Sequence, residues 1–357
     1  MRQTDTLHPP KVKPAITDEN QLHASLSWDW QAASKHTVED IQTLAILLDL
    51  DTLTLSNIVA NSDFKLRVPM PFIKRMKKGD INDPLLRQIL PTKKELLPQV
   101  GFTNDPLNEQ EYNPCPGLIH KYTGRVLLTA AVSCPINCRY CFRRHFPYAD
   151  NRLNPKNWQA ALNYIAQDSS IKEVILSGGE PLLLNDRMLS ELLDNIESIA
   201  HVKLIRIHTR FPVVVPQRLT AALCTRLSTA RCKITMVMHI NHPNEIDEHF
   251  KHCVLPLITS AVTLLNQTVL LKSINDDIQT LTELSYALFD AGLLPYYLHA
   301  TDPVSGTAHF SVSDAKAQQL ASELIASLPG YLAPTLVREV SGKQAKTRLP
   351  ISSVSSE

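Results

Sequence analysis

The chain has 357 residues, with Lys+Arg 36 against Asp+Glu 35, a formal charge of +1, 44% hydrophobic and 20% charged residues. That length suits a barrel-sized domain with an appendage, and the composition excludes global disorder. The charge balance gives no support to direct nucleic-acid binding. No apolar run approaches the roughly 20 residues of a membrane span, and the first twenty residues hold no apolar secretory core. Seven cysteines, an odd number, do not read as a secreted disulfide framework. A cytoplasmic protein without membrane attachment is expected.

The first 110 or so residues read as mainly helical. Thr37 opens a sequence that resembles a helix cap, and Ile41, Leu44, Ala45, Leu47 and Leu48 follow at helical spacing. The basic stretch from Lys74 to Lys78 is expected to be a solvated helix face. Pro106, Pro114 and Pro116 mark a boundary, giving a helical region 1–110, a core 111–330 and a C-terminal segment 331–357.

Beyond the boundary, short β-rich runs recur at 125–132, 172–177, 203–209, 233–239, 268–272 and 296–301. Helical stretches such as 188–199 and 281–291 lie between them. Strands separated by helix-length segments predict βα units and a parallel sheet. The class is α/β, and six units favour a partial or complete (β/α) barrel. No GxGxxG follows the first strand, so a dinucleotide fold loses its main support.

The sharpest signal follows that strand: Cys134, Cys138 and Cys141, spaced C-x3-C-x2-C. Three thiolates can hold three irons of a [4Fe–4S] cluster and leave the fourth open to another ligand. A structural zinc site normally wants a fourth protein ligand. His145 could supply it, so zinc stays as an alternative.

The cysteine spacing, with Tyr140 and Phe142 flanking Cys141, resembles the radical S-adenosylmethionine superfamily. Gly178-Gly179-Glu180-Pro181 at the end of the second strand resembles that family's Gly-Gly-Glu-Pro segment, and paired glycines let backbone approach a neighbour closely. Segments 176–182, 207–218, 239–245, 265–276, 296–302 and 334–339 are similar to the lysine 2,3-aminomutase family. The resemblance implies a partial (β/α)6 TIM-like barrel and three cofactors: a [4Fe–4S] cluster, S-adenosylmethionine and pyridoxal 5′-phosphate.

It also implies site residues one by one. Cys134, Cys138 and Cys141 match the cluster ligands, and Gly178, Gly179 and Glu180 the S-adenosylmethionine segment. Lys346 matches the lysine that carries pyridoxal phosphate, with Lys343 the alternative. Arg143 matches the arginine that grips the substrate carboxylate, a task suited to a guanidinium fork. Arg125 and Lys121 match the basic residues near the cofactor phosphate, and Gln267 a glutamine at the pyridoxal ring. Asp302 and Glu339 fall where two carboxylates hold the ε-ammonium of lysine. His242 and Tyr140 match residues flanking the adenosyl group.

The sequence departs from the family in three places. Glu180 stands where the lysine enzymes have aspartate, and so does Glu339. Gly342-Lys343-Gln344-Ala345 replaces a four-glycine run. No cysteine follows Cys253, so the family's cysteine-rich zinc tail is expected to be missing. The resemblance is greatest to the short bacterial form that makes β-lysine for modification of elongation factor P. That form implies L-lysine as substrate, a lysyl-tRNA-synthetase-like ligase as functional partner and an external electron donor. A radical aminomutase for another amino acid, such as glutamate or arginine, is a second reading. A non-enzymatic iron–sulfur scaffold that docks on a translation factor is a third.

Overall fold

A computed structural model describes residues 29–51, 58, 64–147, 151 and 158–351 of the chain. The N-terminal region contributes the antiparallel ribbon of β1 (Thr37–Val38) and β2 (Val68–Pro69). Short helices, Trp30–Lys35, Ile41–Leu47, Met70–Ile73 and Pro84–Arg87, and 3-10 turns surround it. Because Thr37 is committed to the ribbon, the helix cap passes to Asp40, whose side chain accepts from the Thr43 amide at 2.7 Å. The apolar positions Ile41, Leu44, Ala45, Leu47 and Leu48 are buried as their spacing predicts.

The basic stretch at 74–78 departs from a uniformly solvated face. The Arg75 side chain is buried: its guanidinium donates to the Val213 and Glu245 carbonyls, and Asp247 lies 3.7 Å away. This arginine ties the N-terminal region to the strand ends of the core.

Nine strands form the main sheet: β3 (Leu118–Tyr122), β4 (Arg125–Ala131), β5 (Glu173–Gly178), β6 (Leu204–Thr209), β7 (Lys233–His239), β8 (Thr263–Val269), β9 (Leu294–His299), β10 (Thr335–Arg338) and β11 (Thr347–Arg348). They lie in sequence order. Strands β4 to β10 run parallel, and antiparallel hairpins, β3 with β4 and β10 with β11, border the sheet. This is the architecture of a partial TIM-like barrel, with β10 adding a seventh parallel strand to the six expected. At four residues, β10 is too short to stand out as a run of its own.

The largest displacement from expectation is β8, which begins at Thr263 rather than 268. Polar Asn266 and Gln267 interrupt its apolar pattern. Asn266 is nevertheless buried, bonding the Ile240 amide and carbonyl at 3.0 and 3.1 Å. The apolar residues taken for strand, Leu270 and Leu271, are buried in the turn that follows.

Crossover helices start on side-chain caps: Asn185 for Asp186–Glu197, Asp277 for Ile278–Asp290 and Ser313 for Asp314–Ser327. One buried core joins Ala33, Leu44 and Phe72 to Val174, Leu176, Ile205 and Met236. The N-terminal region thus packs as part of the barrel. Among the described residues, no helix is long and apolar enough to cross a membrane.

Candidate active site

The C-terminal ends of parallel strands are where such folds gather chemistry. Here the cysteine loop follows β4, Gly179 and Glu180 follow β5, Arg210 follows β6, Asn241 follows β7, Asp302 follows β9 and Glu339 follows β10.

The cysteine loop is pinned from both sides. From the N-terminal region, the Arg67 and Gln88 carbonyls accept from the Asn137 and Arg139 amides at 3.0 and 2.8 Å. Glu95 pairs with the buried guanidinium of Arg139 and with Arg144. From the core, the Gly179 and Glu180 amides donate to the Ala131 and Ser133 carbonyls, both at 2.9 Å. That packing explains the paired glycines. Gly178 has φ +100°, and a Cβ on it would meet Thr129 at 2.5 Å; a Cβ on Gly179 would lie 2.6–2.8 Å from backbone atoms of Ser133 and Ala131. Gly179→Ala is therefore expected to cost about 3 kcal/mol, because the contacts are with backbone that has no rotamer to change. The readouts are a lowered Tm and reduced iron uptake; an unchanged Tm would mean the loop has slack.

Glu180 is built into the scaffold. Its buried carboxylate accepts from Thr209 Oγ1 at 2.6 Å and from the amides of Leu182, Arg210 and Phe211 at 3.1, 2.9 and 3.1 Å. The side chain thus locks the end of β5 to the end of β6.

Burial raises the Cys134 thiol well above its ordinary value, reinforced by Cys141, Glu180 and Cys138, and pushes Cys141 up to about 11 with help from Cys138. The three sulfurs thus lie within electrostatic reach of one another, and metal binding has to displace protons. Among the described residues, no three His, Cys, Asp or Glu side chains stand close enough to hold one metal ion. Cluster thiolates bind separate irons, so they need not converge as ligands to a single ion do. The donor set suits a cluster in that respect. His145 turns its Nε2 to the Ser305 carbonyl at 3.1 Å, away from the zinc role considered for it.

Beside the cysteines, Tyr140 is buried in a polar network. Its hydroxyl lies 3.2 Å from Gln88 Oε1, 3.1 Å from His239 Nε2 and 2.6 Å from Asn241 Nδ2, and it accepts from Arg210. The histidine that meets Tyr140 is His239, at 5.6 Å between ring centroids. His242 instead caps the turn Pro243–Glu245, its Nδ1 accepting from the Asn244 amide at 3.2 Å. Burial lowers its pKa although Glu245, Asp83, Asp277 and Glu283 surround it.

A second cluster forms where the hairpin of β10 and β11 closes. Arg338 pairs with Thr347, so Glu339, just after β10, faces Lys346, just before β11. Lys346 Nζ donates to Glu339 Oε2 at 2.7 Å, while Lys121 Nζ and Tyr122 Oη donate to Oε1 at 3.1 and 2.8 Å. Burial works against the charge on Glu339, but Lys346 and Lys121 hold the carboxyl well below its usual range. Lys343 is exposed on the same turn, where Gly342 has φ +77°. Asp302 joins this cluster: burial, then Glu339, pushes its carboxyl up to about 7. Its Oδ1 is buried without a hydrogen-bond partner.

Of the two basic residues expected near a phosphate, Lys121 is engaged with Glu339. Arg125 lies over the Tyr122 ring, 4.7 Å from its centroid. Gln267 on β8 is in register with His239 and Tyr297 on the neighbouring strands. Arg143 is buried and grips a carboxylate, that of Glu109, through Nε at 2.7 Å and Nη2 at 2.5 Å; Nη1 lies 3.4 Å from Ser177 Oγ.

Glu109, Arg210, His208 and His299 were not singled out from the sequence. His208 alternates with buried Ile205, Ile207 and Thr209 on β6, His299 follows buried Leu298 at the end of β9, and each has a buried Nε2 without a partner. Burial lowers both pKa values well below the ordinary range, and the nearby Lys346 charge adds to this. The period-2 pattern in Arg206, His208 and Tyr297, His299 was the available signal.

Residues 129–230 match the model of the radical SAM superfamily. An L-lysine 2,3-aminomutase of Escherichia coli (strain K12) is 48% identical over 325 residues, 90% of this chain and 95% of its own length. One of Haemophilus influenzae is also 48% identical, over 89% of this chain and 95% of its own. The Clostridium subterminale protein of the same name is 32% identical over 90% of this chain and 77% of its own.

The chain belongs to the lysine 2,3-aminomutase family. It is a radical SAM enzyme of the isomerase class, and the superfamily implies a [4Fe–4S] cluster and S-adenosylmethionine. Within the family description, the cysteine loop and the Lys346–Glu339–Asp302 cluster lie at the same end of the sheet.

Proposed function

We propose that this chain converts L-lysine to β-lysine in the cytoplasm, with the cluster on Cys134, Cys138 and Cys141 and pyridoxal phosphate on Lys346. The product would serve post-translational modification of elongation factor P, alongside a lysyl-tRNA-synthetase-like ligase, with an external donor supplying the electron. The observation that carries the reading is the half-buried pairing of Lys346 with Glu339, with Asp302 within electrostatic reach of both. Similarity to L-lysine 2,3-aminomutases over 95% of their length supports lysine as the substrate. Two acids favour a cationic side chain over that of glutamate.

The residues fit the cofactors by their chemistry: three thiols on one pinned loop, one amine beside a carboxylate, and buried imidazole and carboxyl atoms without partners. The cluster with S-adenosylmethionine supplies hydrogen-atom abstraction, and pyridoxal phosphate supplies the conjugation across which an amino nitrogen migrates. The protein does the rest. Arg143 orients a carboxylate from its Nη1 edge, beside Ser177, while Glu109 fixes the fork from the other edge. Asp302 and Glu339 receive the far ammonium, Glu339 already ionised and Asp302 ionising as the cation arrives. Lys121 adds positive charge beside Lys346 on the shared Glu339 carboxylate, Arg125 adds it over the Tyr122 ring, and Gln267, Tyr140 and His242 line or buttress the strand ends.

A carboxyl titrating at about 7 is protonated below that pH, and a cation binds its ionised form. The apparent KM for lysine should therefore rise as pH falls below 7, approaching about tenfold per pH unit, and level off above it. Asp302→Asn should flatten that limb and lower the preference for lysine over ornithine by roughly ten- to a hundredfold, the worth of one charge-assisted hydrogen bond. The test is anaerobic turnover with reductant, S-adenosylmethionine and either amino acid, with chiral analysis of products. β-Lysine that the ligase then transfers to elongation factor P supports the reading. Turnover of glutamate or arginine in place of lysine would overturn the substrate, and an unaltered pH limb in Asp302→Asn would overturn the role of Asp302.

A further inference from the structure

Arg210 bridges the cysteine loop to the buried carboxylate of Glu245. Its Nη1 donates to Cys138 Sγ at 2.7 Å and to the Tyr140 hydroxyl. Its Nη2 donates to Gln88 Oε1 at 2.7 Å and Glu245 Oε2 at 3.0 Å. The backbone amide of the same residue is anchored on Glu180 at 2.9 Å. Arg210 is 6% exposed and Glu245 0%. A cation so far from water needs compensation, and Glu245 alone supplies one fixed negative charge. Glu245 is itself held in place, with Oε1 accepting from Gln88 Nε2 and the Asn241 and His242 amides. The guanidinium is thus fixed in position and orientation before any cofactor arrives.

The geometry points to Arg210 as a positioning residue that tunes the reduction potential of the cluster through the sulfur of Cys138. The inference rests on the reading of Cys138 as a cluster ligand. Accepting one electron from a low-potential donor makes the cluster one unit more negative. A cationic N–H donor on a ligating sulfur stabilises that reduced form more than the oxidised one, so it raises the potential. Among the hydrogen bonds described for the three cysteine sulfurs, this is the one made by a charged side chain. The cluster would therefore be electronically asymmetric, with the electron favoured towards the Cys138 side.

The experiment uses reconstituted holoenzyme. Arg210→Lys and Arg210→Gln are compared with wild type by iron content and EPR-monitored redox titration. At equal iron content, the midpoint potential is expected to move negative, further in the glutamine variant than in the lysine variant. Glu245→Gln, which leaves the arginine but loosens its anchor, should give a smaller negative shift. An unchanged potential at full iron content in these variants overturns the inference, and a purely structural role would lower Tm without moving the potential. Wild-type enzyme with 15N in its arginine guanidinium groups supplies the arm that needs no variant. Pulsed EPR of the reduced cluster should show a 15N coupling, and its absence overturns the inference even if the variants fail to fold. If Cys138→Ala keeps a full cluster, it is the ligand reading that fails; if that variant loses it while Arg210 variants keep their potential, only the tuning role fails.

Discussion

Cys138→Ala is expected to abolish reductive cleavage of S-adenosylmethionine while leaving the fold in place. The loop that carries Cys138 does not depend on its sulfur for position. Asn137 and Arg139 are bonded to the Arg67 and Gln88 carbonyls, Arg139 is clamped by Glu95, and the amides of Gly179 and Glu180 hold the other end. Removing one thiol therefore subtracts a ligand from an otherwise intact frame. Two thiolates no longer secure three irons, and the cluster is lost or incomplete. The measurements are iron per chain, the visible absorbance of the cluster, and formation of methionine and 5′-deoxyadenosine under reductant. Full cleavage in the variant would sink the assignment. The same tests on Cys115, Cys224, Cys232 and Cys253 should show no loss. Cys224 and Cys253 sit in helices on the outside of the sheet, and Cys232 donates to the Val202 carbonyl.

The strands that carry this frame were legible where their chemistry was monotonous. β5, β6 and β7 are dense in Val, Ile and Met between clear breaks, and each begins within one residue of its expected start. β8 was misplaced because its function intrudes on its pattern: Asn266 is turned inward to satisfy the Ile240 backbone, which a hydropathy reading scores as a break. The site divides the same way. Three cysteines within eight residues advertise themselves through local spacing. Glu109 and Arg210 do not, because their partners, Arg143, Cys138 and Glu245, are joined only by the fold, across 34 or more residues. Glu180 shows a third case. Its motif was visible, yet which groups its carboxylate would satisfy depended on how β5 and β6 end side by side. The role of the N-terminal region was equally hidden, since Gln88 and Glu95 act on a loop whose position only the packed chain defines.

Lys346→Ala is expected to eliminate aminomutation and the covalent attachment of pyridoxal phosphate, with Lys343→Ala close to wild type. The contrast follows from the hairpin. In the pairing of β10 with β11, Lys346 is set opposite Glu339, inside the cluster that also holds Lys121 and Tyr122. Lys343 stands at the exposed turn three residues earlier. The fold should survive the substitution, since Glu339 keeps Lys121 and Tyr122 as partners and no buried charge is left alone. The acid stability of the protein should change in a defined direction. Glu339 is held below its ordinary pKa, so it contributes stability above the unfolded value that is lost as pH falls through the folded one. Losing Lys346 weakens that depression, and the acid unfolding midpoint should move to higher pH. Peptide mapping of wild-type enzyme after borohydride reduction should place the pyridoxyl mass on Lys346. Finding it on Lys343 would mean that the register across 342–345, where the family's glycines are replaced, is displaced by three residues. In that outcome Lys346 would be a structural partner of Glu339, and Lys346→Ala would lower Tm while sparing the cofactor.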